Sequence, residues 1–105
     1  MNSKQKGSAG ERELSNKLKE YGFDTRRSQQ YCGANGDSDV VGIDGLHIEC
    51  KRVERLNVSD AMKQAVSDAK SGNVPVVMHR KNREEWLVTM RMSDWVDMFK
   101  RKSPP

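Results

Sequence analysis

Residues 39–51 read DVVGIDGLHIECK, and this stretch decides the fold. Two apolar runs rich in β-branched residues flank Asp44-Gly45, and this arrangement is the strongest short-range sequence signal for a β-hairpin. Because side chains alternate between the two faces of a strand, we expect the second strand to turn its apolar side chains toward a core. This apolar set is Leu46, Ile48 and Cys50, and the set on the opposite face is His47, Glu49 and Lys51.

Three charged groups meet at one end of this predicted hairpin. Asp39 opens the first strand, although aspartate is disfavoured in strands, and Glu49 and Lys51 lie on the strand that pairs with it. Two carboxylates from neighbouring strands can bind Mg²⁺, and an adjacent amine can orient water or stabilise charge on a phosphate. The alternative is a surface salt bridge between Glu49 and Lys51, which contributes about 0–1 kcal/mol. The residues alone leave both interpretations open.

A first helix is predicted on the N-terminal side of the hairpin. The motif Ser8-Ala-Gly-Glu11 fits a capping box, and Gly22 is a typical helix stop. We therefore predict a helix from Ser8 to about Tyr21, preceded by a flexible, polar and basic arm at residues 1–7.

Glu11 has an unusual place on this predicted helix. At 100° per residue it lies on the same side as Leu14 and Leu18, whereas Glu13 should face solvent. A carboxylate among apolar side chains is costly unless it is paired. We therefore predict that Glu11 reaches the charged groups of the hairpin; the alternative is that it only closes the capping box with Ser8.

The rest of the chain alternates strand and helix patterns. From Val58, apolar residues recur at i, i+3, i+4, i+7, i+8 and i+11, which is typical of an amphipathic helix. The order α-β-β-β-α-β-β-α predicts a single α/β domain over residues 1–105, with a mixed central sheet flanked by helices and a flexible end at residues 101–105. The remaining predicted elements are a strand at 23–27, a polar loop at 28–37, a helix from Asn57 or Ser59 to about Ser71, strands at 76–79 and 86–90, and a short helix from Ser93 to Phe99.

The composition restricts the class of protein. The net charge of +4 and pI near 9.2 permit nucleic-acid binding, but residues 1–55 hold ten Lys/Arg against nine Asp/Glu, so DNA contacts must come from local clusters. The two cysteines and two histidines match neither a disulfide framework nor a recognised zinc pattern. Because no apolar run approaches ~20 residues and no signal peptide is apparent, we expect a soluble, intracellular protein without a membrane partner.

Asp39 followed by Glu49-Cys50-Lys51 resembles the PD-(D/E)xK nuclease superfamily, whose pattern is an acid, a spacer, and then acid-x-Lys on the next strand. Ser38 stands where the name-giving proline would be. The run from Lys6 to Leu14, with Gly22-Phe23 and Arg27-Ser28, resembles the archaeal-type Holliday junction resolvases and their phage relatives. The resemblance extends to about residue 55 and implies a restriction-endonuclease-like fold.

The resemblance also implies roles for individual residues, with Mg²⁺ as the cofactor and Mn²⁺ able to substitute for it. The implied catalytic residues are Asp39, Glu49, Lys51 and Glu11. The implied metal ligands are Asp39, Glu49, Glu11 and the carbonyl of Cys50. Arg12 and Arg27 match DNA-contacting positions, and the neighbouring basic candidates are Arg26, Arg52 and Arg55.

These roles imply a Mg²⁺-dependent DNA endonuclease that hydrolyses phosphodiester bonds in duplex or branched DNA. It would act like a Holliday junction resolvase, as a symmetric homodimer in the cytoplasm of a bacterial, archaeal or phage-infected cell. One alternative is a phage-type nuclease of the same fold that cuts or nicks ordinary duplex DNA. Another is a non-catalytic DNA-binding module. The intact set of two acids and a lysine argues against it, because a module that does not cut DNA has no use for them.

Overall fold

A computed structural model describes residues 3–28 and 38–102, with side chains from residue 7 onward. Within these ranges the element order is the predicted α-β-β-β-α-β-β-α, and the fold is restriction-endonuclease-like. No helix in these ranges has the length and apolar character that crossing a membrane requires. The elements are α1 (Ser3–Glu20), β1 (Arg26–Arg27), β2 (Val40–Val41), β3 (Leu46–Arg52), α2 (Val58–Asp68), β4 (Val74–Arg80), β5 (Leu87–Met90) and α3 (Met92–Lys102).

The predicted hairpin forms the centre of the sheet. Strands β2 and β3 are antiparallel with Val40 opposite Ile48, and Gly45 turns the chain between them with a φ of +85°. Strand β3 is also parallel to β4, which pairs antiparallel with β5, so the sheet is mixed and has the order β1-β2-β3-β4-β5. The parallel pair requires a crossover, and α2 supplies it.

Both faces of β3 are covered, which the sequence pattern did not anticipate. On one face α1 packs its Leu14 against the predicted apolar set of β3. On the other face the small residues Ala61 and Ala65 of α2 pack on Val77 of β4, which lies beside Glu49 in the parallel register. Strands in parallel pairs are commonly buried on both faces. The polar face of β3 is therefore an interior surface beneath α2.

The ends of several elements differ from the predictions. Helix α1 begins at Ser3 and not at Ser8, so residues 3–7 belong to the helix. Helix α2 has the predicted cap, with the Asn57 side chain accepting from the Asp60 backbone N–H, but it ends at Asp68. Helix α3 continues to Lys102, two residues into the segment expected to be flexible. Residues 29–37 of the predicted polar loop and residues 103–105 lie outside the described ranges.

The first two strands are shorter than predicted. Phe23 and Asp24 lie before β1 and are not paired in the sheet, and β2 ends before Gly42. Gly42 has a φ of +119°, and its α-carbon lies against the backbone of Asp24 and Thr25 so closely that a β-carbon would overlap it. Strand β1, at the edge of the sheet, is consequently only two residues long, and Arg27 links it to α1.

Candidate active site

Asp39 and Glu49 meet at the end of the hairpin, as the sequence predicted. The Oδ2 atom of Asp39 accepts a hydrogen bond of 2.8 Å from the backbone N–H of Cys50, which fixes the carboxylate beside β3. The side chain of Glu49 also lies beside Asp39, close enough for the two carboxyl groups to affect each other's ionisation. The two carboxyl groups are therefore in contact on one side of the sheet. The ten-residue separation of Asp39 and Glu49 in the sequence matches this placement on paired strands.

The electrostatics of this pair favour binding of a cation. Burial raises the pKa of Asp39 and also the pKa of Glu49. The negative charge of Asp39 raises the pKa of Glu49 further. The positive charge of Lys51 acts on both carboxyl groups in the opposite direction. Burial and repulsion between neighbouring carboxylates both disfavour the ionised pair, and a bound cation would stabilise it.

Glu11 lies on the side of α1 that approaches β3, and Gly10 beside it allows this approach. A β-carbon at Gly10 would lie 2.6 Å from Cβ of Arg52, so only glycine allows this approach. Burial raises the pKa of Glu11, and the negative charge of Asp39 raises it further. The prediction that Glu11 reaches the charged groups of the hairpin is consistent with this placement.

Arg27 holds Glu11 in position. Its Nε donates to Oε1 of Glu11 at 3.2 Å, and a terminal nitrogen of the same guanidinium donates to the Ser8 hydroxyl at 2.9 Å. Ser8 lies inside α1 and not at its start, so the capping-box alternative for Glu11 is wrong. In this structure Arg27 is therefore an ion-pair partner of a candidate ligand, whereas the sequence suggested a DNA contact.

A group that the sequence analysis missed lies on the other side of Glu49. His47 is 2% exposed, and its Nε2 hydrogen-bonds Oε1 of Glu49 at 2.9 Å. Asp68, the last residue of α2, joins them: one ligand atom from each of the three residues lies within 4.8 Å of the others. Among the described residues Glu11, Asp39 and Glu49 do not form so tight a group.

Asp68 carried a sequence signal that was overlooked. It stands in the last turn of a helix whose last turn has no basic residue, where the helix dipole disfavours a negative charge. A cation or a nearby donor would offset this cost, and Asp68 lies within 4.8 Å of His47 and Glu49 of β3. His47 itself was placed on the correct face, but nothing in the strand pattern indicated that α2 would bury it.

The other predicted DNA-binding arginines differ in their surroundings. Arg52 is held by Glu13, whose carboxylate lies 3.1 Å from its Nε, and by the Asn82 side chain. Glu13 also pairs with Arg80, so the expectation that Glu13 simply faces solvent is wrong. The remaining candidates are exposed and available to a ligand: Arg12, Arg26 and Arg55.

Comparison with known proteins identifies a family and a similar solved structure. The family described as phage putative PDDEXK endonuclease matches residues 2–104. The chain belongs to this family. Among solved structures, this PDDEXK endonuclease is similar to Hjc, a Holliday junction resolvase from the archaeal hyperthermophile Archaeoglobus fulgidus, with 27% identity and a TM-score of 0.62. The similarity covers 81% of this chain and 72% of the resolvase; the comparison with curated proteins gave no match.

Proposed function

We propose that this PDDEXK nuclease is a Mg²⁺-dependent DNA endonuclease that hydrolyses phosphodiester bonds at Asp39, Glu49 and Lys51. The observation that carries the proposal is the contact between the half-buried carboxyl group of Asp39 and the buried one of Glu49, with Lys51 close enough to act electrostatically on both. A surface salt bridge between Glu49 and Lys51, the alternative left open by the sequence, does not account for a glutamate that is 4% exposed.

The residues present fit a hard divalent cation. Carboxylate and carbonyl oxygens are the ligands that Mg²⁺ prefers, and the ligands we propose are Asp39, Glu49 and the Cys50 carbonyl, with Glu11 as a further carboxylate. Burial raises the pKa values of all three acids, the negative charge of Asp39 raises those of Glu11 and Glu49 further, and a bound cation would stabilise the ionised form of each. When bound, Mg²⁺ lowers the pKa of a coordinated water and neutralises charge on the scissile phosphate. Mn²⁺ has similar ligand preferences and should substitute.

The chain's own residues supply orientation and charge. Asp39 is fixed by the Cys50 N–H, and Glu49 by the ring of His47, so neither carboxylate needs to reorganise during the reaction. Lys51 would orient the attacking water and stabilise the charge that develops on the phosphate. The exposed cations Arg12, Arg26 and Arg55 would hold the DNA backbone, which makes binding depend steeply on salt concentration.

The favoured substrate is branched DNA, read through its shape and backbone more than through its bases. Similarity to a junction resolvase supports this choice, and it also supports a symmetric homodimer, because a four-way junction has two equivalent strands to cut. Membership of a phage endonuclease family supports the second candidate, a nuclease that cuts or nicks ordinary duplex DNA.

Cleavage of matched substrates tests the proposal. We expect the protein to cut an immobile four-way junction in Mg²⁺ or Mn²⁺ at least about tenfold faster than a linear duplex of the same sequence, and to cut neither in EDTA. Equal rates on both substrates would favour the duplex nuclease. Binding of DNA without cleavage in either metal would overturn the enzymatic proposal and favour the non-catalytic module.

His47 should control the affinity of this site for metal. Replacing His47 with alanine removes the bond that orients Glu49, and losing such a support of a metal ligand typically weakens metal binding ~10–100-fold. Calorimetric titration with Mn²⁺ measures this effect directly and does not require DNA cleavage. His47→Gln, which keeps a side-chain donor, should retain more affinity than His47→Ala.

The second histidine provides a matched control for this measurement. His79 hydrogen-bonds Thr89 on the neighbouring strand, and its register partner on β3 is Lys51 and not a candidate ligand, so His79→Ala should bind Mn²⁺ like the wild type. Circular dichroism would verify that each variant is folded. Unchanged Mn²⁺ affinity in a folded His47→Ala protein would show that this histidine does not support the site.

A further inference from the structure

The hydroxyl of Ser38 lies between the backbones of the two hairpin strands. It accepts a hydrogen bond of 2.7 Å from the backbone N–H of Ile48 on β3. The carbonyl oxygens of Val40 and Ile48 are both within its reach, and its single proton can be donated to one of them at a time. Val40 and Ile48 are opposite each other in the sheet, so one side chain joins both members of a cross-strand pair. We call this arrangement the Ser38 bridge.

Side chains continue the pairing of β3 beyond the start of β2. Strand β2 begins at Val40, so Ser38 and Asp39 lie before it. The N–H groups of Ile48 and Cys50, two residues apart on β3, point toward the same neighbouring strand. The first binds the Ser38 hydroxyl, and the second binds Oδ2 of Asp39 at 2.8 Å. Two consecutive side chains thus take the places that backbone carbonyl groups occupy beside a longer strand.

The Ser38 bridge constrains the backbone of the neighbouring candidate ligand. The N–H of Asp39 donates to the Ile48 carbonyl at 2.8 Å, so the main chain is tied to β3 right beside the bridge. A proline at position 38, as in the superfamily pattern, would restrict the backbone through its ring, which fixes φ. Serine has no such ring, and its hydroxyl restricts the backbone through hydrogen bonds to β2 and β3 instead. The direction of the Asp39 carboxylate therefore depends on the Ser38 bridge.

From these contacts we propose that Ser38 is a positioning residue for the metal site, whose hydroxyl holds the Asp39 carboxylate beside Glu49 before a cation binds. The inference rests on the proposed function, since it assigns Ser38 a part in the same site. A ligand that is already in place loses little freedom when the cation binds, so a support of this kind increases affinity. Loss of the hydroxyl should therefore weaken metal binding and slow cleavage, while DNA binding is unchanged.

Replacing Ser38 with alanine tests this role, because it removes the hydroxyl and leaves the Ile48 N–H without that partner. We expect the Mn²⁺ affinity of Ser38→Ala, measured by titration calorimetry, to fall ~10-fold or more, as is typical when a support of a metal ligand is lost. Steady-state cleavage of the four-way junction should show a lower kcat with an unchanged KM for DNA, since no cationic side chain is altered. Ser38→Thr keeps a hydroxyl and should restore both the Mn²⁺ affinity and kcat.

A second serine provides a matched control for a purely structural effect. Ser15 is buried, and its hydroxyl lies 3.5 Å from that of Thr25, so it links α1 to the segment before β1. Ser15→Ala should lower the melting temperature but bind Mn²⁺ and cleave DNA like the wild type. Wild-type Mn²⁺ affinity in a folded Ser38→Ala protein would overturn the proposal. Equal losses of Mn²⁺ affinity in Ser38→Ala and Ser15→Ala would also overturn it, because they would reflect stability alone.

Amide hydrogen exchange of the metal-free wild type tests the Ser38 bridge without any substitution. The N–H groups of Ile48 and Cys50 should both exchange slowly, although β2 is only two residues long. Fast exchange of the Ile48 N–H in the folded protein would contradict the bridge. A wild type that binds no Mn²⁺ would overturn the proposed function together with this inference. Mn²⁺ binding that is equal in the wild type and Ser38→Ala would overturn only the role of Ser38, so the two failures are distinguishable.

Discussion

Glu49→Ala should lower the rate of Mg²⁺-dependent DNA cleavage by ~10³-fold or more, because even one preorganised electrostatic group is worth 10²–10³ in rate. Glu49 is buried in contact with Asp39, and its loss leaves one carboxylate where a divalent cation needs several oxygen ligands. Gel-based cleavage of a labelled four-way junction gives the rate. Binding of the same junction in EDTA should be nearly unchanged, since the exposed arginines are intact.

Two further variants separate catalysis from folding. Glu49→Ala also leaves the buried His47 ring without its partner, which can cost about 1–3 kcal/mol of folding free energy. Glu49→Gln keeps the shape and a hydrogen-bonding group, so it should be as inactive as Glu49→Ala but more stable. Glu20→Gln, at an exposed acid on α1, should cleave like the wild type. Wild-type cleavage by Glu49→Gln would exclude Glu49 as a metal ligand.

The sequence was sufficient to predict the pairing that creates the candidate site. Alternation along residues 46–51 placed Glu49 and Lys51 on one face of β3, and the Asp44-Gly45 turn placed Asp39 on the adjacent strand. These are local properties, set by the period of a strand and the geometry of a tight turn. The helical period similarly predicted that Glu11 would turn inward.

The features that escaped prediction depend on contacts between distant parts of the chain. His47 and Asp68 meet only because α2 crosses β3, and no local pattern specifies where a crossover helix ends. Glu13 was assigned to solvent from its angle on α1, but Arg52 and Arg80 reach it from two different strands. Long cationic side chains can satisfy an acid from several positions, so a helical wheel alone could not identify this ion-pair cluster.

The α1 boundary shows a different limitation. A Ser-x-x-Glu motif is evidence for a helix start only when the preceding residues cannot continue the helix. Residues 3–7 do continue it, and the Ser8 hydroxyl is bound to Arg27 from β1. The same two motif residues therefore support the site through Arg27. A local motif was recognised correctly, but a tertiary contact determines its role.

Lys51→Met should reduce cleavage by ~10²–10³-fold, the effect typical of losing one group that stabilises transition-state charge. The response to metal should distinguish it from the ligand variants. Lys51 acts on Asp39 and Glu49 as a neighbouring positive charge, so its removal eliminates repulsion toward a cation. Calorimetry should therefore find Mn²⁺ affinity equal to or tighter than that of the wild type. In contrast, Glu49→Gln should lose Mn²⁺ affinity together with activity.

The opposite changes in Mn²⁺ affinity expected for Lys51→Met and Glu49→Gln directly test the separate roles proposed for the lysine and the carboxylates. Lys63→Met, at an exposed lysine of α2, controls for the loss of one positive charge and should change neither cleavage nor Mn²⁺ affinity. If Lys51→Met lost Mn²⁺ affinity as Glu49→Gln is expected to do, the lysine would be a structural support of the acidic pair. If it cleaved DNA at the wild-type rate, Lys51 would have no part in the reaction. Reduced cleavage with intact metal binding is the combination expected of an amine that acts on the water and the phosphate.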